Sequence, residues 1–230
     1  MIEGLGHILF PKVCIVCRKL LEQGEEQICS GCFSQFNQFP GADAGGNALR
    51  STILKHFGLQ AVPADAWCLY PFHRNGKLHE AMHGLKYEGL FPLGSLFGRR
   101  LGELIKSSGR RVEFDAIVPL PLHSLKRIER SYNQSEKIAE GISGVLGSPV
   151  STRCIERSSY TGSQTGLTLT ARRKNMAGAF RAGRQPCRGR VLLVDDVLTT
   201  GATMVAAAGA LLASGAESVA FAVVGFTEKE

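Results

Sequence analysis

The chain of 230 residues contains no apolar run long enough to span a membrane, and it does not begin with the basic residues of a secretory signal. It also contains neither the Gly-x4-Gly-Lys-Ser/Thr motif nor the Gly-x-Gly-x-x-Gly motif. These absences argue against membrane insertion and leave no common motif for nucleoside triphosphates or dinucleotides. We therefore expect a cytoplasmic protein.

Acidic residues are also scarce, with 20 of them against 27 lysines and arginines, so the net charge is +7. The excess is concentrated between Arg153 and Arg190, where nine basic residues accompany the single acid Glu156. Such a segment suits a phosphate-rich ligand or nucleic acid, and it also suits a solvated loop. The charge alone does not choose between these interpretations.

Seven cysteines, an odd number, favour a metal site or free thiols over disulfides in a chain without a secretory signal. Two Cys-x-x-Cys pairs, Cys14 with Cys17 and Cys29 with Cys32, have the spacing of a four-cysteine zinc ribbon. Four protein ligands leave no open coordination position, so the predicted Zn²⁺ is structural. Four unrelated thiols or a redox pair are the alternatives.

The other three cysteines have no partner spacing, and we interpret Cys68 and Cys154 as small core residues. The Gly-rich residues 41–46 look like a linker. The sequence therefore predicts three parts, namely a zinc ribbon over residues 1–45, a connecting segment over 46–66 and a main domain over 67–230.

Apolar residues in the main domain alternate between strand and helix periods. The strands are predicted over residues 67–72, 115–119, 149–155, 191–194 and 218–226. The helices are predicted over residues 77–87, 93–107, 133–146 and 202–213. This alternation predicts an α/β fold with a mostly parallel, Rossmann-like sheet, in which ligands bind at the carboxyl ends of the strands.

The most informative stretch is 191–203, where a buried strand is predicted to end at Asp195 and Asp196 before a small-residue loop and an Ala-rich helix. Free N–H groups at a helix N-terminus attract a phosphate. The phosphate-binding candidates of this loop are Thr199, Thr200, Gly201, Ala202 and Thr203. The carboxylates can accept hydrogen bonds from sugar hydroxyls or hold a hydrated Mg²⁺. An ordinary strand–turn–helix capped by threonine is the alternative.

This stretch resembles the phosphoribosyl pyrophosphate (PRPP) signature of type I phosphoribosyltransferases. The resemblance implies that Asp195 and Asp196 are the catalytic carboxylates that bind the ribose hydroxyls, that PRPP binds with Mg²⁺, and that the loop binds the 5′-phosphate. In such enzymes the loop after residue 119 contacts pyrophosphate, which needs cations. The candidate pyrophosphate ligands there are His123, Lys126, Arg127 and Arg130. A surface loop before a helix capped at Asn133 is the alternative.

Further motifs lie along the rest of the chain. They are Leu-Lys-Tyr-Glu-Gly at residues 85–89, Val-Pro-Leu-Pro at 118–121 and Tyr-Asn-Gln at 132–134. A spaced element comprises Arg157, Thr161, Gln164, Arg172, Asn175 and Phe180. Together with the cysteine pairs, these motifs resemble the ComF family of phosphoribosyltransferase-like proteins, which is associated with natural competence and DNA uptake. One departure is Ser131, where the family has glycine. Serine has less backbone freedom than glycine, so the path of this loop can differ from that of the family.

The polar segment 158–174 is rich in serine, threonine and glycine. It resembles the flexible loop that closes over PRPP in the superfamily, and Arg172 would then reach the pyrophosphate. A basic loop without a catalytic part is the alternative.

Residues 79–83 read His-Glu-Ala-Met-His, which matches the zincin motif His-Glu-x-x-His. On a helix both imidazoles would share one face with Glu80 as the base, and Glu103 could add a third ligand. A pattern this short arises by chance, and the ComF resemblance places an ordinary helix here. A metalloprotease is therefore a remote alternative.

Two functions stay open from the sequence. The first is Mg²⁺-dependent transfer of the 5-phosphoribosyl group of PRPP to a nitrogen nucleophile, with release of pyrophosphate, although no residue identifies the acceptor. The second is a non-catalytic adaptor that senses PRPP or another nucleotide and contacts DNA or DNA-processing proteins. The resemblance implies a role in competence. Homodimers are frequent in the superfamily, but no sequence feature indicates one.

Overall fold

The computed structural model describes residues 12–110, 112–158 and 178–227, without the side chains of residues 124–126. The helices are α1 (Ser30–Phe33), α2 (Ala44–Phe57), α3 (Lys77–Tyr87), α4 (Pro92–Ser107), α5 (Ser124–Arg130), α6 (Gln134–Leu146) and α7 (Ala202–Ala213), with a 3-10 helix at Leu59–Ala61. The strands are β1 (Ala66–Pro71), β2 (Ala116–Pro119), β3 (Ile155–Arg157), β4 (Phe180–Ala182), β5 (Gly189–Leu198) and β6 (Ala216–Phe226).

Four strands form a parallel sheet in the order β1-β6-β5-β2. Helical connections between these strands explain the parallel direction, because a crossover is needed to return to the same edge. The carboxyl ends of all four strands therefore lie at one edge, which we call the site edge. Strands β3 and β4 form a separate antiparallel pair.

Side chains alternate along β5 and build one apolar core on each face of the sheet. Leu192 and Val194 face a core that contains α3, α4, α6 and the cysteine-rich region. Val191 and Leu193 face a second core with α2, α7 and the β3–β4 pair. The sheet is thus covered on both faces, as a parallel sheet requires.

Helices α4 and α6 approach closely because small residues line their contact. A Cβ atom added at Gly98 would overlap the backbone carbonyl of Ile138, and one at Gly141 would overlap that of Ser95. The close packing fixes α6 on the sheet and places its N-terminus at the site edge.

The structure confirms most predicted elements and corrects three. Residues 149–155 do not form the expected strand, since only Val150 makes a bridge to Ile117 and β3 begins at Ile155. The expected linker at 41–46 already contains the start of α2. Strand β5 does not end at the carboxylates but continues to Leu198, because pairing with β6 continues.

Outside the two Cys-x-x-Cys pairs, the expectation of free thiols is wrong for two of the three remaining cysteines. Cys154 and Cys187 form a disulfide, with 5.4 Å between their Cα atoms. Both are buried, as expected for Cys154, and Cys68 is a buried free cysteine. Spacing could not indicate this bond because residues 33 positions apart are brought together only by the fold.

Among the described residues, no helix is both long and apolar enough to cross a bilayer. The first apolar core also includes residues Cys14, Ile28 and Phe36 of the expected ribbon together with Trp67 of β1. The cysteine-rich region thus shares a core with the sheet. The division into a ribbon, a connecting segment and a main domain stays a prediction.

Candidate functional site

Asp195 and Asp196, which we call the acid pair, lie inside β5 near the site edge. Asp195 pairs in register with Val223 of β6, and Leu120 just beyond β2 donates its N–H to the carbonyl of Val194 at 2.8 Å. The neighbouring strands therefore hold the backbone of the acid pair on both sides. The carboxylates are built into the sheet and do not depend on a loop for their position.

Asp196 is 4% exposed and accepts hydrogen bonds from three elements. Its Oδ2 accepts from Lys86 Nζ of α3 at 2.9 Å and from Gln134 Nε2 of α6 at 3.1 Å. Its Oδ1 accepts from the backbone N–H of Val197 at 2.5 Å. A buried carboxylate needs such partners because removing its charge from water is costly.

The pair with Asp196 also acts on Lys86. Burial lowers the pKa of Lys86, but attraction and hydrogen bonding to Asp196 outweigh it and hold the pKa above its usual value. The ammonium is therefore charged at neutral pH. Lys86 belongs to the Leu-Lys-Tyr-Glu-Gly motif, to which sequence analysis gave no chemical role.

Asp195 lies in a different environment. Its Oδ1 accepts from Ser135 Oγ at 2.9 Å and from the backbone N–H of Asp196 at 2.8 Å. Burial and the adjacent Asp196 nevertheless raise the pKa of Asp195 to about 7, although Lys86 opposes the rise. Two neighbouring carboxylates resist ionising together, so the acid pair holds a proton near neutral pH.

Arg157 of β3 provides a second cation near Asp195. Burial lowers the pKa of Arg157, and attraction to Asp195 opposes that effect. Its guanidinium lies over the ring of Phe180 in β4, at 5.5 Å from the centroid. The β3–β4 pair, which belongs to the second core, therefore contributes a positive charge that Asp195 attracts.

The N-terminus of α6 is held by its cap, Asn133. Asn133 Oδ1 accepts from Ser135 N at 3.1 Å, and Asn133 Nδ2 donates to the carbonyl of Leu120 at 3.0 Å. These bonds tie the helix start to the residue beyond β2. As a result, Gln134 and Ser135 point at the acid pair. The cap at Asn133, which sequence analysis named only as part of the alternative to a pyrophosphate loop, is present, and it positions the site.

Gln134 carries an unused acceptor. Its Oε1 atom is buried, and it has no hydrogen-bond partner within the part of the chain that the structure describes. A buried orphan acceptor is costly unless a ligand supplies a donor. A sugar hydroxyl or a water molecule on Mg²⁺ beside Asp196 would fit this atom. The residues at the site edge therefore suit the ribose and Mg²⁺ of the expected ligand.

The expected phosphate loop, residues 199–203, follows β5 directly. Gly201 is the N-cap of α7 with φ +82°, and as a glycine it has no side chain with which to cap the helix. The N-cap residue itself is therefore not a threonine. Gly201 is also required for space, because a Cβ atom there would overlap the side chain of Ile53 in α2. Thr200 and Ala202 are buried, whereas Thr199 is exposed and Thr203 is partly buried.

The expected pyrophosphate loop contains α5. Arg130 lies over the ring of Tyr87 at 5.1 Å and donates to its hydroxyl at 3.3 Å. Arg127 forms an ion pair with Glu136 at 3.6 Å. His123 precedes α5 and accepts the N–H of Arg127 through its carbonyl. The side chain of Lys126 and the whole of Arg172 lie outside the described part of the chain.

The four cysteines of the two Cys-x-x-Cys pairs form one cluster, with all their sulfur atoms within 4.8 Å of one another. The sulfurs of Cys17 and Cys29 are 3.7 Å apart. Four sulfurs around a tetrahedral zinc ion would be about 3.8 Å apart, from a Zn–S bond of about 2.3 Å. Burial raises the pKa of Cys14, but backbone N–H groups lower it to about 6. This cysteine cluster can hold a metal ion.

The His-Glu-x-x-His helix does not build a second cluster. His83 pairs with Glu88 at 3.4 Å, and the ring of His79 lies 5.9 Å from that of Phe72. Across the described residues, only the cysteine cluster gathers three or more metal-ligating side chains. The metalloprotease alternative therefore gains no support from the geometry.

Comparison with known proteins identifies the family of the chain. The phosphoribosyl transferase domain model matches residues 132–228. Competence protein F of Haemophilus influenzae is 30% identical over 200 residues, which cover 83% of this chain and 86% of that protein. The chain belongs to the competence protein F family. DNA utilization protein YhgH of Escherichia coli K12 is 28% identical over 215 residues, covering 91% and 94% of the two chains.

This member of the competence protein F family has the type I phosphoribosyltransferase fold. Among solved structures, the glutamine PRPP amidotransferase of B. subtilis is 21% identical, with a TM-score of 0.39. The match covers 57% of this chain and 26% of that one. The family assignment does not depend on this structural match.

Sequence analysis missed the residues that surround the acid pair. Lys86, Gln134 and Ser135 come from two helices remote in sequence from β5 and meet it only in the fold. Two of them lie in motifs that were recognised, namely Leu-Lys-Tyr-Glu-Gly and Tyr-Asn-Gln. The presence of a polar residue inside each of these motifs was the signal that could have marked Lys86 and Gln134 as site residues.

Proposed function

We propose that the chain binds PRPP together with Mg²⁺ at the site edge. The main support is the position of the acid pair, which lies beside the orphan Oε1 of Gln134 and just before a helix N-terminus whose N-cap residue is Gly201. This arrangement offers acceptors for two ribose hydroxyls and donors for a phosphate a few residues further on. The phosphoribosyl transferase domain match covers the same residues.

Each part of PRPP has a candidate partner. Asp195 and Asp196 would accept the ribose hydroxyls, and the backbone N–H groups of residues 199–203 would hold the 5′-phosphate. The candidates for the pyrophosphate are His123, Lys126, Arg127, Arg130 and Arg172. When bound, Mg²⁺ would neutralise charge on the pyrophosphate oxygens.

We further propose that bound PRPP can react with a nitrogen nucleophile. The nitrogen lone pair would form a bond to C1 of the ribose as the bond from C1 to pyrophosphate breaks. Pyrophosphate would leave with the electron pair, and the nitrogen would then lose a proton to solvent. The cations near α5 would stabilise the leaving group, and the carboxylates would support the positive charge developing on the sugar.

Calorimetric titration with PRPP tests this proposal. Wild-type protein should bind PRPP more tightly with Mg²⁺ than without it, and Asp195→Asn/Asp196→Asn should bind at least about tenfold more weakly. Glu217→Gln is the matched control, because its exposed carboxylate lies at the opposite end of the sheet. Absence of PRPP binding by wild-type protein, or equal binding by the acid-pair variant, would refute the site.

A non-catalytic adaptor that binds DNA is the second candidate. The names of two relatives, competence protein F and DNA utilization protein, favour it. The surface beside the site edge supports it as well, since the exposed ring of Tyr87 lies under the guanidinium of Arg130 and the exposed ring of Phe91 packs against that of Tyr132. Exposed rings beside cations suit unpaired bases and their phosphates.

Fluorescence anisotropy with a labelled single-stranded oligonucleotide tests the adaptor. Tyr87→Ala/Phe91→Ala should weaken binding, and the affinity of wild-type protein should fall as salt increases. Leu212→Ala, which changes an exposed apolar residue on α7, is the control. Binding that ignores salt, or that is unchanged in the double variant, would argue against this surface.

We also propose that the metal of the cysteine cluster is zinc. Its support is the spacing of the four sulfurs and the lowered pKa of Cys14, which favours a thiolate. Inductively coupled plasma mass spectrometry of purified protein should find about one zinc ion per chain, and none after replacement of two of these cysteines. A different metal, or zinc that persists in the variant, would contradict the assignment.

A further inference from the structure

Lys86 occupies an unusual position for a lysine. Its side chain is 24% exposed, and its Nζ atom lies 2.9 Å from Oδ2 of Asp196, whose side chain is 6% exposed. Lysine is rarely buried unless it is paired with an acid. The pair is thus a largely buried part of the site and not a contact between two exposed surface side chains.

The backbone around Lys86 is held from both sides. The hydroxyl of Tyr132 donates to the carbonyl of Leu85, and Leu85 itself is fully buried. On the other side, Arg130 lies over the ring of Tyr87. The final turn of α3 is therefore fixed against the segment that leads into α6, and the ammonium of Lys86 is presented to the acid pair.

The ammonium stands where a metal ion would otherwise be attracted. A divalent cation on Oδ2 of Asp196 would lie within a few ångströms of the Lys86 charge and would be repelled by it. Gln134 Nε2 already donates to the same oxygen. Oδ2 of Asp196 is thus already occupied by two donors of the chain itself, Lys86 and Gln134.

We propose that Lys86 is the resident cation of the acid pair and sets its metal dependence. In the free protein Lys86 excludes divalent cations from Asp196, so Mg²⁺ enters the site only with the pyrophosphate of the ligand. The second part of this inference rests on the proposed PRPP site. The first part concerns the free protein and stands without PRPP.

Titration of zinc-loaded protein with Mn²⁺, followed by electron paramagnetic resonance, tests the first part. Wild-type protein should bind Mn²⁺ at least about tenfold more weakly than Lys86→Met, because the variant leaves the carboxylates without their cation. Lys86→Met/Asp196→Asn should lose the gained site. Lys137→Met is the matched control, since Lys137 is a lysine of α6 paired with Glu140 at 2.8 Å.

The outcomes separate clearly. Equal Mn²⁺ affinity in wild type and Lys86→Met, or a gain that survives Asp196→Asn, would overturn the inference. If Lys86→Met fails to fold by circular dichroism, Lys86→Gln carries the same expectation, because glutamine is neutral and can still donate a hydrogen bond. Lys86→Arg should behave as wild type, because it keeps the positive charge.

Calorimetry with PRPP then tests the second part. Wild-type protein should bind PRPP with Mg²⁺ but take up no Mg²⁺ without PRPP, whereas Lys86→Met should take up Mg²⁺ alone. Absence of PRPP binding in every variant would refute the proposed function, while the Mn²⁺ result would still decide the role of Lys86. Mg²⁺ uptake by free wild-type protein would refute the inference, whatever PRPP does.

Discussion

At the scale of single residues, the acid pair places two adjacent carboxylates in a buried position where only one of the two charges has a direct ion-pair partner. Lys86 compensates Asp196 directly, whereas Asp195 depends on Ser135 and on a more distant Arg157. The site therefore carries charge that opposes folding, as ligand sites commonly do. The pKa of Asp195, raised to about 7, is the result of this unfavourable burial of negative charge.

Asp195→Asn should therefore stabilise the free protein in a pH-dependent way. A raised pKa means that the stability due to protonated Asp195 is complete below about pH 4 and is lost as the pH rises through about 7. The advantage of the variant over wild type in unfolding free energy should grow by about 3 kcal/mol between pH 5 and pH 8.

Urea denaturation at both pH values measures this difference. Asparagine keeps the shape of the side chain and an oxygen that can accept from Ser135, so packing is preserved. Glu217→Gln makes the same chemical change on an exposed side chain and should show no such trend. An advantage that is the same at pH 5 and pH 8 would mean that Asp195 is ionised throughout this range.

Ser131 is a second residue under strain. It has φ +63°, in the left-handed region that favours glycine, and it precedes Tyr132, whose hydroxyl bonds to Leu85. Ser131→Gly should raise the free energy of unfolding by about 0.5 kcal/mol, since relief of the strain exceeds the added freedom of the unfolded chain. Thermal denaturation measures the gain. Ser131→Ala should give none, and a gain there equal to that of glycine would contradict strain at Ser131.

At the scale of elements, the position of the β3–β4 pair depends on a disulfide bond that lies beside it. Cys154 precedes β3, Cys187 precedes β5, and their disulfide closes a loop with a sequence separation of 33. The pair has only three residues in each strand, too few to be stable alone. The disulfide therefore limits how far Arg157 can move from the acid pair.

Cys154→Ala/Cys187→Ala should lower the free energy of unfolding by about 3 kcal/mol, chiefly because the unfolded chain becomes freer. Denaturation with and without the reductant tris(2-carboxyethyl)phosphine measures it. The reductant should weaken wild-type protein by a similar amount and leave the double variant unchanged. Equal stability of oxidised wild type and the variant would show that the bond contributes nothing to folding.

The long elements could be predicted from the sequence because their periodicity is set locally. Helices α3 and α7 match the predicted bounds: α3 has apolar residues at helical spacing, and α7 is rich in alanine, a strong helix former. The end of β5 could not be predicted, because pairing with β6 extends the strand through two charged residues. Likewise α2 begins inside a Gly-rich stretch, where Gly45 and Gly46 are needed because Cβ atoms there would overlap neighbouring groups.

The site could be predicted only in its local part. The order of acids, small loop and helix lies within thirteen consecutive residues, so the sequence alone identified Asp195, Asp196 and Gly201 as candidates. Lys86 and Gln134 meet Asp196 from two separate helices. No periodicity or spacing reports such contacts, because they depend on how α3 and α6 pack on the sheet.

At the scale of the whole molecule, the cysteine cluster is joined to the sheet by a shared core. Ile28 and Phe36 belong to the same apolar cluster as Trp67 and Leu85. Phe36 packs against Tyr70 of β1, with ring centroids 5.3 Å apart. A metal bound by the cysteines would therefore stabilise part of the sheet as well as its own loops.

Removal of the metal should destabilise the whole chain. Incubation with a chelator should lower the midpoint of thermal unfolding by several degrees in one transition, because the metal-bound turns and the sheet share side-chain contacts. Differential scanning calorimetry checks this. Cys17→Ser should show the lower midpoint without chelator. A separate low-temperature transition, with the main one unchanged, would mean that the cysteine-rich region folds independently.

The strand order also has a consequence during synthesis on the ribosome. Strand β1 pairs with β6, so the earliest strand of the sheet finds its neighbour only after residues 216–226 have been made. Until then the backbone of β1 has no strand partner, although Phe36 and Phe97, which are made before β6, can already pack against Tyr70. Chaperones that shield apolar segments would be needed most in this interval. A ribosome that stalls before β6 would release a chain whose first strand has no partner.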